Sequence, residues 1–292
     1  MQFDALKAGV LVNVTRPNAV ETLRELLREM ERLSLPYLLE ETSAQSLNAT
    51  GLALKEILQK CGYLIVIGGD GTILTAVRAI AKQPLPLLGI NPGSSFGFLT
   101  EVTRQEISQA LQTIKEGGAE LVPRSTLLAR YQINGEKKET PALNDLVFAR
   151  GKEAHLVELE VLVNGENLAT YAADGLVFAT AAGSTAYSLA AGGPVMFPGL
   201  NAFVMTPVCP HALMNRPVVF PKAATITLRN AQPAREVFLS ADGAPLLTLG
   251  REEAVEVTLG EPVNFINPKL RSFVGKLCEK MGWQGSLKKK NN

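Results

Sequence analysis

Over residues 1–118, short apolar runs alternate with segments in which apolar residues recur every three to four positions. The runs are too short for typical helices and predict buried strands, whereas the periodic segments predict amphipathic helices. The predicted strands are 9–14, 36–39, 64–67 and 85–90, and the predicted helices are 19–33, 51–60, 73–82 and 103–116. This alternation indicates an N-terminal α/β domain whose parallel sheet is covered by helices.

Beyond residue 118 the pattern changes to β segments separated by turns. The predicted β segments are 121–133, 142–148, 155–163, 225–228, 236–239 and 254–259. The turns Asn134-Gly135 and Asn164-Gly165 separate some of them, and the first is a good hairpin signal. We therefore expect an all-β sandwich domain over residues 119–268. Residues 271–281 return to helical periodicity, and the basic end at 288–292 predicts a disordered tail within a last segment, 269–292.

Composition narrows the function classes. The formal net charge is +1, so no global field favours nucleic acid or an acidic membrane. The three cysteines lie far apart without metal-site spacing, which suits a reducing cytoplasm. The N-terminal stretch lacks a signal-peptide pattern, and prolines interrupt the apolar stretch at 194–220. We expect a cytoplasmic protein with neither nucleic-acid nor membrane partners.

The most informative motif is Gly68-Gly69-Asp70-Gly71-Thr72, called the glycine turn below. It lies between a predicted strand and a predicted helix, where open α/β sheets bind ligands. Its amides can face phosphate, and its carboxylate can accept a proton or hold a metal. The chain has no P-loop, and Leu74 breaks the dinucleotide fingerprint. An ordinary turn would explain the glycines but not the aspartate.

Two further segments carry candidate chemistry. In residues 180–194, called the small-residue segment below, Ala, Gly, Ser and Thr would let backbone approach a ligand closely while hydroxyls bind it. Tyr187 could stack on a ring or bind a ribose. A simple packing seam would also explain these small residues. The pair Asn144-Asp145 offers an amide and a carboxylate that could bind two ribose hydroxyls, although a turn or strand edge would explain it too.

Together these motifs resemble those of the NAD kinase family, which phosphorylates the 2′-hydroxyl of the adenosine ribose of NAD to give NADP. The glycine turn is similar to the family's GGDGT, a motif that alone would also fit diacylglycerol kinases or phosphofructokinases. The block 183–194 makes the resemblance specific. The similar segments are the glycine turn, 91–99, Asn144-Asp145, 180–194, 209–217 and 240–243.

The resemblance implies a fold of three parts: an N-terminal α/β domain, a β-sandwich, and a C-terminal segment that returns to the first domain. It implies a homodimer or homotetramer. It also implies NAD as acceptor and ATP or polyphosphate as donor, with a divalent cation, Mg²⁺, and no set of metal-ligating side chains.

Carried over by position, the resemblance makes Asp70 the proton acceptor of the reaction. Asn144 and Asp145 would bind ribose hydroxyls and an adenine nitrogen, and Asp174 would reach the nicotinamide end. The residues that the resemblance assigns to substrate binding are Gly71, Phe98, Asn144, Asp145, His155, Asp174, Ala182, Thr185, Ala186, Tyr187, Ser188, Leu189 and Ala190.

The chain departs from the family pattern at a few positions. Ala181-Ala182 replaces Pro-Thr, Ala172 replaces a basic residue of some relatives, and Ala244 replaces Gln. These changes bear on affinity and on the choice between NAD and NADH. Two alternatives remain at this point: a lipid or sugar kinase of the same superfamily, and a non-catalytic NAD-binding sensor. The sequence shows neither an apolar entrance nor a sugar-phosphate cluster, and Asp70 disfavours the sensor.

Overall fold

The computed structural model describes residues 3, 5–81, 83, 85–93, 97–133, 135–152, 155–250 and 253–282. The tail at 288–292, Asn134 and residues 94–96 of the segment 91–99 lie outside this described part. The chain divides into two units. The first unit comprises Met1–Ile73, Pro86–Val122 and Ile266–Asn292, and the second comprises Leu74–Leu85 and Pro123–Phe265.

The helices lie mostly in the first unit. They are α1 (Ala19–Arg32), α2 (Glu41–Gln45), α3 (Leu54–Lys60), α4 (Asp70–Ala79), α5 (Ile107–Lys115), α6 (Tyr187–Ala190) and α7 (Phe273–Met281), with 3-10 turns at Arg104–Glu106 and Gly183–Thr185. Helix α1 shows why the periodicity predicts helices. Its buried residues include Leu23, Leu26, Leu27 and Met30, which recur on one face at the spacing of an amphipathic helix.

The strands run through both units. They are β1 (Ala8–Val12), β2 (Tyr37–Leu39), β3 (Tyr63–Ile67), β4 (Leu87–Asn91), β5 (Val102–Thr103), β6 (Glu120–Arg124), β7 (Leu127–Ile133), β8 (Glu136–Ala142), β9 (Asp145–Arg150), β10 (Val157–Val163), β11 (Glu166–Ala173), β12 (Gly175–Ala179), β13 (Ala202–Val208), β14 (Val218–Pro221), β15 (Ile226–Asn230), β16 (Val237–Ala241), β17 (Ala244–Leu249), β18 (Ala254–Leu259) and β19 (Val263–Asn267).

The first sheet has the strand order β2-β1-β3-β4-β19-β6, with β5 paired to β4. Strand β1 runs parallel to both β2 and β3, and β4 runs parallel to β3 and β5. All five residues of β3 are buried, as expected for a central parallel strand covered on both faces. The predicted α/β fold with a parallel sheet is therefore confirmed.

The second unit contains two six-stranded antiparallel sheets. Their orders are β11-β10-β15-β18-β7-β8 and β14-β13-β12-β9-β16-β17. One apolar core draws side chains from both sheets, and it includes Phe148 and Phe178, whose rings meet edge to face at 5.8 Å. In β10 the buried residues Val157, Leu159 and Val161 alternate with less buried ones, the pattern of a sheet with one inner face. The predicted β-sandwich is confirmed.

Several predicted boundaries are wrong. The single strand predicted at 121–133 is two strands, because β6 belongs to the first sheet and β7 to the sandwich. The strand predicted at 142–148 is interrupted, since the chain bends at Leu143-Asn144 between β8 and β9. Helix α4 begins at Asp70 rather than at residue 73. An apolar run cannot by itself show where a strand changes sheet or turns.

Some elements carry no sequence signal strong enough to predict them. Strand β8 is mostly charged and exposed, because it lies at a sheet edge. Strand β7 nevertheless pairs antiparallel with β8 from Ile133↔Glu136 onward, which agrees with the predicted hairpin. The second Asn-Gly turn is fully described: Asn164 and Gly165 have φ of 51° and 87° between β10 and β11, as a two-residue hairpin turn requires.

Candidate active site

The glycine turn follows β3 directly and leads into α4. The amide of Gly68 donates to the carbonyl of Ile90 at 2.9 Å, which ties the turn to β4. A Cβ at Gly68 would lie 2.4 Å from Thr72 Oγ1, so the turn closes too tightly for any side chain there. Asn13 Nδ2 donates to the same Thr72 oxygen at 3.2 Å. The turn thus requires glycine at position 68, and the Thr72 hydroxyl links it to Asn13.

The carboxylate of Asp70 lies against the backbone of residues 97–99. Its Oδ2 accepts the amide of Phe98 at 2.9 Å, and its Oδ1 accepts the amide of Leu99 at 3.1 Å. A Cβ at Gly97 would lie 1.9 Å from Asp70 Oδ1, so only glycine leaves room for the carboxylate. A carboxylate has about four lone-pair sites. Two bonds from amides therefore fix its orientation while leaving capacity to accept a hydroxyl proton.

The positively charged side chain of Arg16 also lies beside the glycine turn. A Cβ built on Gly69 would be 3.2 Å from the Nη2 atom of Arg16, so the exposed guanidinium covers the second glycine. Guanidinium groups bind phosphate oxygens through paired N–H donors. Sequence reasoning missed Arg16, because it lies far from the motif along the chain and has no motif of its own.

In the second unit, the pair Asn144-Asp145 is held by a single carboxylate. Asp242 accepts three consecutive amides, those of Leu143 at 2.8 Å, Asn144 at 2.8 Å and Asp145 at 3.1 Å. Its own amide donates to the carbonyl of Asp145 at 2.9 Å. Asp242 adopts φ of 48° in the tight turn between β16 and β17. The bend that interrupts the predicted strand therefore has a specific cause.

Asn144 and Asp145 are both buried, and the Asn144 side chain carries unused polar capacity. The side-chain oxygen of Asn144 finds no hydrogen-bond partner within the described part of the chain. Burial raises the pKa of Asp145 to about 7, and the nearby charge of Asp242 adds to the rise. Burial also raises the pKa of Asp242, although its three amide bonds and Arg78 oppose that rise. The amide bonds and Arg78 stabilise the ionised form of Asp242. When the two carboxyl groups hold one proton between them, that proton is therefore on Asp145.

The small-residue segment packs directly on Asn144. Thr180 donates its amide to the carbonyl of Asn144 at 3.0 Å and its hydroxyl to the carbonyl of Leu143 at 2.6 Å. A Cβ at Gly183 would lie 1.9 Å from the carbonyl oxygen of Asn144. The structure thus brings together two segments that the sequence analysis assigned to one ligand.

Within residues 182–190 the predicted ligand residues differ in exposure. Ser188 is buried, and its hydroxyl lies 2.8 Å from that of Thr206. Thr185 donates its hydroxyl to the carbonyl of Ala182 at 3.0 Å. Tyr187 is exposed at the start of α6, with 44% of its surface accessible. The other predicted residues here, Ala182, Ala186, Leu189 and Ala190, are partly or fully exposed.

Two further predicted residues, Asp174 and His155, lie near Arg150. The guanidinium of Arg150 pairs with Asp174 Oδ1 at 2.8 Å. Arg150 and His155 also line a pocket of about 240 Å³, together with Arg235 and Glu236. Sequence reasoning missed Arg150 because a basic residue within a β pattern gives no distinct signal.

Two further kinds of feature are absent from the described residues, metal-binding clusters and membrane-spanning helices. They contain no cluster of three or more His, Cys, Asp or Glu side chains arranged to bind a metal ion. None of the helices among them has the length and apolar character needed to cross a bilayer.

Comparison with known proteins identifies the family. Residues 8–119 match the model of the ATP-NAD kinase N-terminal domain, and residues 143–267 match that of the ATP-NAD kinase C-terminal domain. An NAD kinase of Sulfurimonas denitrificans is 33% identical over 278 residues, covering 95% of this chain and 97% of that protein. The chain belongs to the NAD kinase family. An NAD kinase of Chlorobium phaeobacteroides is 36% identical over 281 residues, with coverage of 95% and 97%.

Solved structures of the family have the same fold. A yeast NADH kinase complexed with NADH superimposes with a TM-score of 0.88 at 25% identity, covering 96% of this chain and 88% of that one. An NAD kinase from Archaeoglobus fulgidus in complex with ATP has a TM-score of 0.70 at 22% identity, with coverage of 90% and 94%. The family match makes the chain an NAD kinase, and the lipid-kinase, sugar-kinase and sensor alternatives are set aside.

The Asp145–Asp242 pair predicts a pH effect on NAD binding. If the ionised Asp145 binds the ribose, NAD affinity rises as pH increases through about 7, because the carboxylate loses its proton there. Replacing Asp242 by Asn removes a neighbouring negative charge and lowers the pKa of Asp145. We therefore expect the midpoint of NAD affinity against pH to move down by roughly one unit in Asp242→Asn.

Titration calorimetry of NAD from about pH 5 to pH 8.5 measures this midpoint, because the range includes the raised pKa of Asp145, about 7, and values roughly one unit below it. Glu160→Gln is the matched control. Glu160 forms an ion pair with Arg229 at 3.5 Å and belongs to β10, whereas Asp242 lies between two strands of the other sheet. If the midpoint of NAD affinity against pH is the same in Asp242→Asn as in the wild type, the charge of Asp242 does not raise the pKa of Asp145.

The free energy of unfolding gives a second check. A carboxyl pKa raised by folding means that stability falls as pH rises from about 4 to 7.

Proposed function

We propose that this chain transfers the terminal phosphoryl group of ATP to the 2′-hydroxyl of the adenosine ribose of NAD, with Asp70 as proton acceptor. The observation that carries the proposal is the carboxylate of Asp70, fixed by two amides at the start of α4 with lone pairs to spare. The hydroxyl becomes acidic as its bond to phosphorus forms, so an oriented carboxylate can accept the proton late in the reaction.

The glycine turn is the proposed donor site. Phosphoryl transfer depends mainly on positioning and charge neutralisation rather than on covalent help from the protein. The positive end of the α4 helix dipole and the guanidinium of Arg16 supply positive character beside Gly69. We place the β- and γ-phosphates of ATP here, with Gly71 offering open space next to Asp70.

The resemblance also implies a divalent cation, and the glycine turn suits one that arrives with ATP. Mg²⁺ in proteins is usually held by one or two carboxylates together with substrate phosphates and water. Asp70 supplies a carboxylate at the turn, and its two oxygens are already oriented by amides. When bound, the cation neutralises charge on the transferred phosphoryl group.

The adenosine end of NAD is assigned to the second unit. The buried oxygen of Asn144, which has no partner within the described residues, can accept from a ribose hydroxyl. Asp145 can accept a second hydroxyl or the adenine amino group. Residues 182–190, with Tyr187 exposed, would contact the ring and the sugar. Phe98 would pack near adenine, and Asp174 and His155 would contact the nicotinamide side.

Three other expectations stay predictions: use of polyphosphate as a second donor, assembly into a homodimer or homotetramer, and a cytoplasmic location. Four alanines, at positions 172, 181, 182 and 244, bear on the choice between NAD and NADH.

One assay tests the proposed reaction. Purified chain is mixed with NAD, ATP and Mg²⁺, and NADP is detected with an NADP-specific dehydrogenase. We expect NADP formation that requires both ATP and the cation, with EDTA as the matched blank. Parallel reactions with polyphosphate and with NADH define donor and acceptor. No NADP in any arm, from a protein that binds NAD, would refute the proposed reaction.

A further inference from the structure

A buried ion pair connects helix α7 to the segment that holds Asp70. The ammonium group of Lys276 donates to Glu101 Oε2, and only 3% and 5% of the two residues' surfaces are accessible. Both residues belong to the first unit. Lysine and glutamate are almost never buried to this extent unless they are paired. None of the roles assigned above involves either residue.

Glu101 directly follows the amide loop, defined here as residues 97–100. This loop supplies the amides of Phe98 and Leu99 that bind the Asp70 carboxylate. Inside the loop, Gly97 donates its amide to Thr100 Oγ1 at 2.5 Å. Its C-terminal end is fixed at Glu101, whose amide donates to the carbonyl of Gly89 at 3.0 Å. A displacement of Glu101 would therefore be transmitted to the groups that orient Asp70.

The amide loop also packs closely against the first sheet. A Cβ built on Gly89 would lie 3.0 Å from the carbonyl oxygen of Leu99 and 3.1 Å from the Cα of Thr100. The loop thus rests on the backbone of β4. With Asp70 on one side and β4 on another, the side chain of Glu101 is a point at which α7 contacts the end of the loop.

Stability alone explains this ion pair poorly. Removing two charges from water is expensive, and replacing a buried pair by apolar groups of similar volume is often neutral or stabilising. A buried pair instead fixes the relative position of the two segments that carry it, because the ammonium and carboxylate groups must meet in one geometry. Exposed pairs of the same C-terminal segment, such as Lys269–Glu120, give no such constraint, since each partner is more than half exposed.

A second ion pair joins the residues just before α7 to the segment that follows the amide loop. Arg271 donates from both terminal nitrogens to the carboxylate of Glu106, one of the bonds being 2.8 Å. Glu106 also accepts the amide and hydroxyl of Thr103, closing a capping box. Burial would raise the pKa of Glu106, but the bonds from Arg271 and Thr103 outweigh it and lower that pKa. Residues 101–106 are therefore clamped by α7 and the residues before it at both ends.

We propose that Lys276, through its ion pair with Glu101, is a positioning residue for phosphoryl transfer, because it holds the amide loop where Phe98 and Leu99 bind Asp70. The proposal rests on the proposed function of Asp70. It predicts that loss of the pair lowers kcat while leaving NAD affinity and thermal stability near those of the wild type.

The test is the double variant Lys276→Met with Glu101→Met, which removes both charges and keeps similar volume. We expect kcat to fall about tenfold to 100-fold, because small misplacements of reacting groups have effects of this size. The Kd of NAD stays within about twofold, and Tm is unchanged or higher. Hydrogen exchange at the amides of Phe98 and Leu99, measured without substrates, becomes faster by about tenfold as the loop loosens.

The exchange measurement separates this proposal from the proposed function. If the wild type forms no NADP, the function fails, yet faster exchange at Phe98 and Leu99 in the double variant still supports a positioning role. Wild-type kcat together with wild-type exchange overturns the proposal. Should the double variant not fold, Lys276→Arg keeps the charge but moves it, and the same readouts then decide. Lys269→Met with Glu120→Gln is the matched control and should change neither readout.

Discussion

Replacing Asp70 by Asn should lower kcat by roughly 10²–10⁴ while the Kd of NAD stays within a few-fold of the wild type. The amide side chain cannot take the hydroxyl proton. It also presents an N–H group to one of the amides of Phe98 and Leu99, both of which the carboxylate accepts in the wild type. Steady-state kinetics with saturating NAD and ATP, together with calorimetry of NAD binding, measure the two effects separately.

Part of any loss in Asp70→Asn could come from a displaced amide loop rather than from a missing base. Thr100→Val controls for this, since it removes the hydroxyl that accepts the Gly97 amide but keeps the carboxylate and a similar shape. We expect a much smaller loss in Thr100→Val. If the two variants lose the same activity, or if Asp70→Asn keeps normal turnover, Asp70 is not the proton acceptor.

Gly183→Ala should weaken NAD binding by at least about tenfold and lower the free energy of unfolding by about 1–3 kcal/mol. The new methyl group would lie 1.9 Å from the carbonyl oxygen of Asn144 and 2.4 Å from its carbonyl carbon. Both atoms are backbone, so no side chain can move aside. The displacement would separate Asn144 from residues 182–190, which are assigned to the same ligand.

Denaturant unfolding and NAD titration measure the effects of Gly183→Ala. Gly250→Ala is a matched control in the same unit, because its Cβ would meet nothing closer than 3.6 Å, at Glu253. The control should behave as the wild type in both measurements. Normal NAD affinity in Gly183→Ala would show that the contact between Gly183 and Asn144 does not shape the binding site.

The sequence predicts the parts of the fold in which the local pattern and the tertiary environment agree. Helix α1 has its apolar residues on one face, and β3 is an apolar run buried on both sides. The edge strand β8 lacks such a pattern because much of it faces solvent. The bend at Asn144 is invisible because its cause, the Asp242 carboxylate, lies 98 positions away in the chain.

The same distinction applies to the candidate site. Asp70 and residues 182–190 belong to continuous motifs, so a resemblance finds them. Arg16 and Lys276 contact segments that are distant in the sequence, and neither lies in a motif. The resemblance covers 240–243, but it does not show that Asp242 accepts the amides of residues 143–145. Only the folded chain shows that a buried lysine lies next to the loop that orients Asp70.

In the proposed reaction the terminal phosphoryl group of ATP moves to one particular hydroxyl of NAD. The most direct measurement is the phosphorus NMR spectrum of the product formed from NAD, ATP and Mg²⁺ by the purified chain, compared with authentic NADP and its 3′ isomer. We expect a single monophosphate signal that coincides with the 2′-phosphate of NADP. A phosphate on any other hydroxyl, or ATP consumption without phosphorylated NAD, would contradict the proposed reaction.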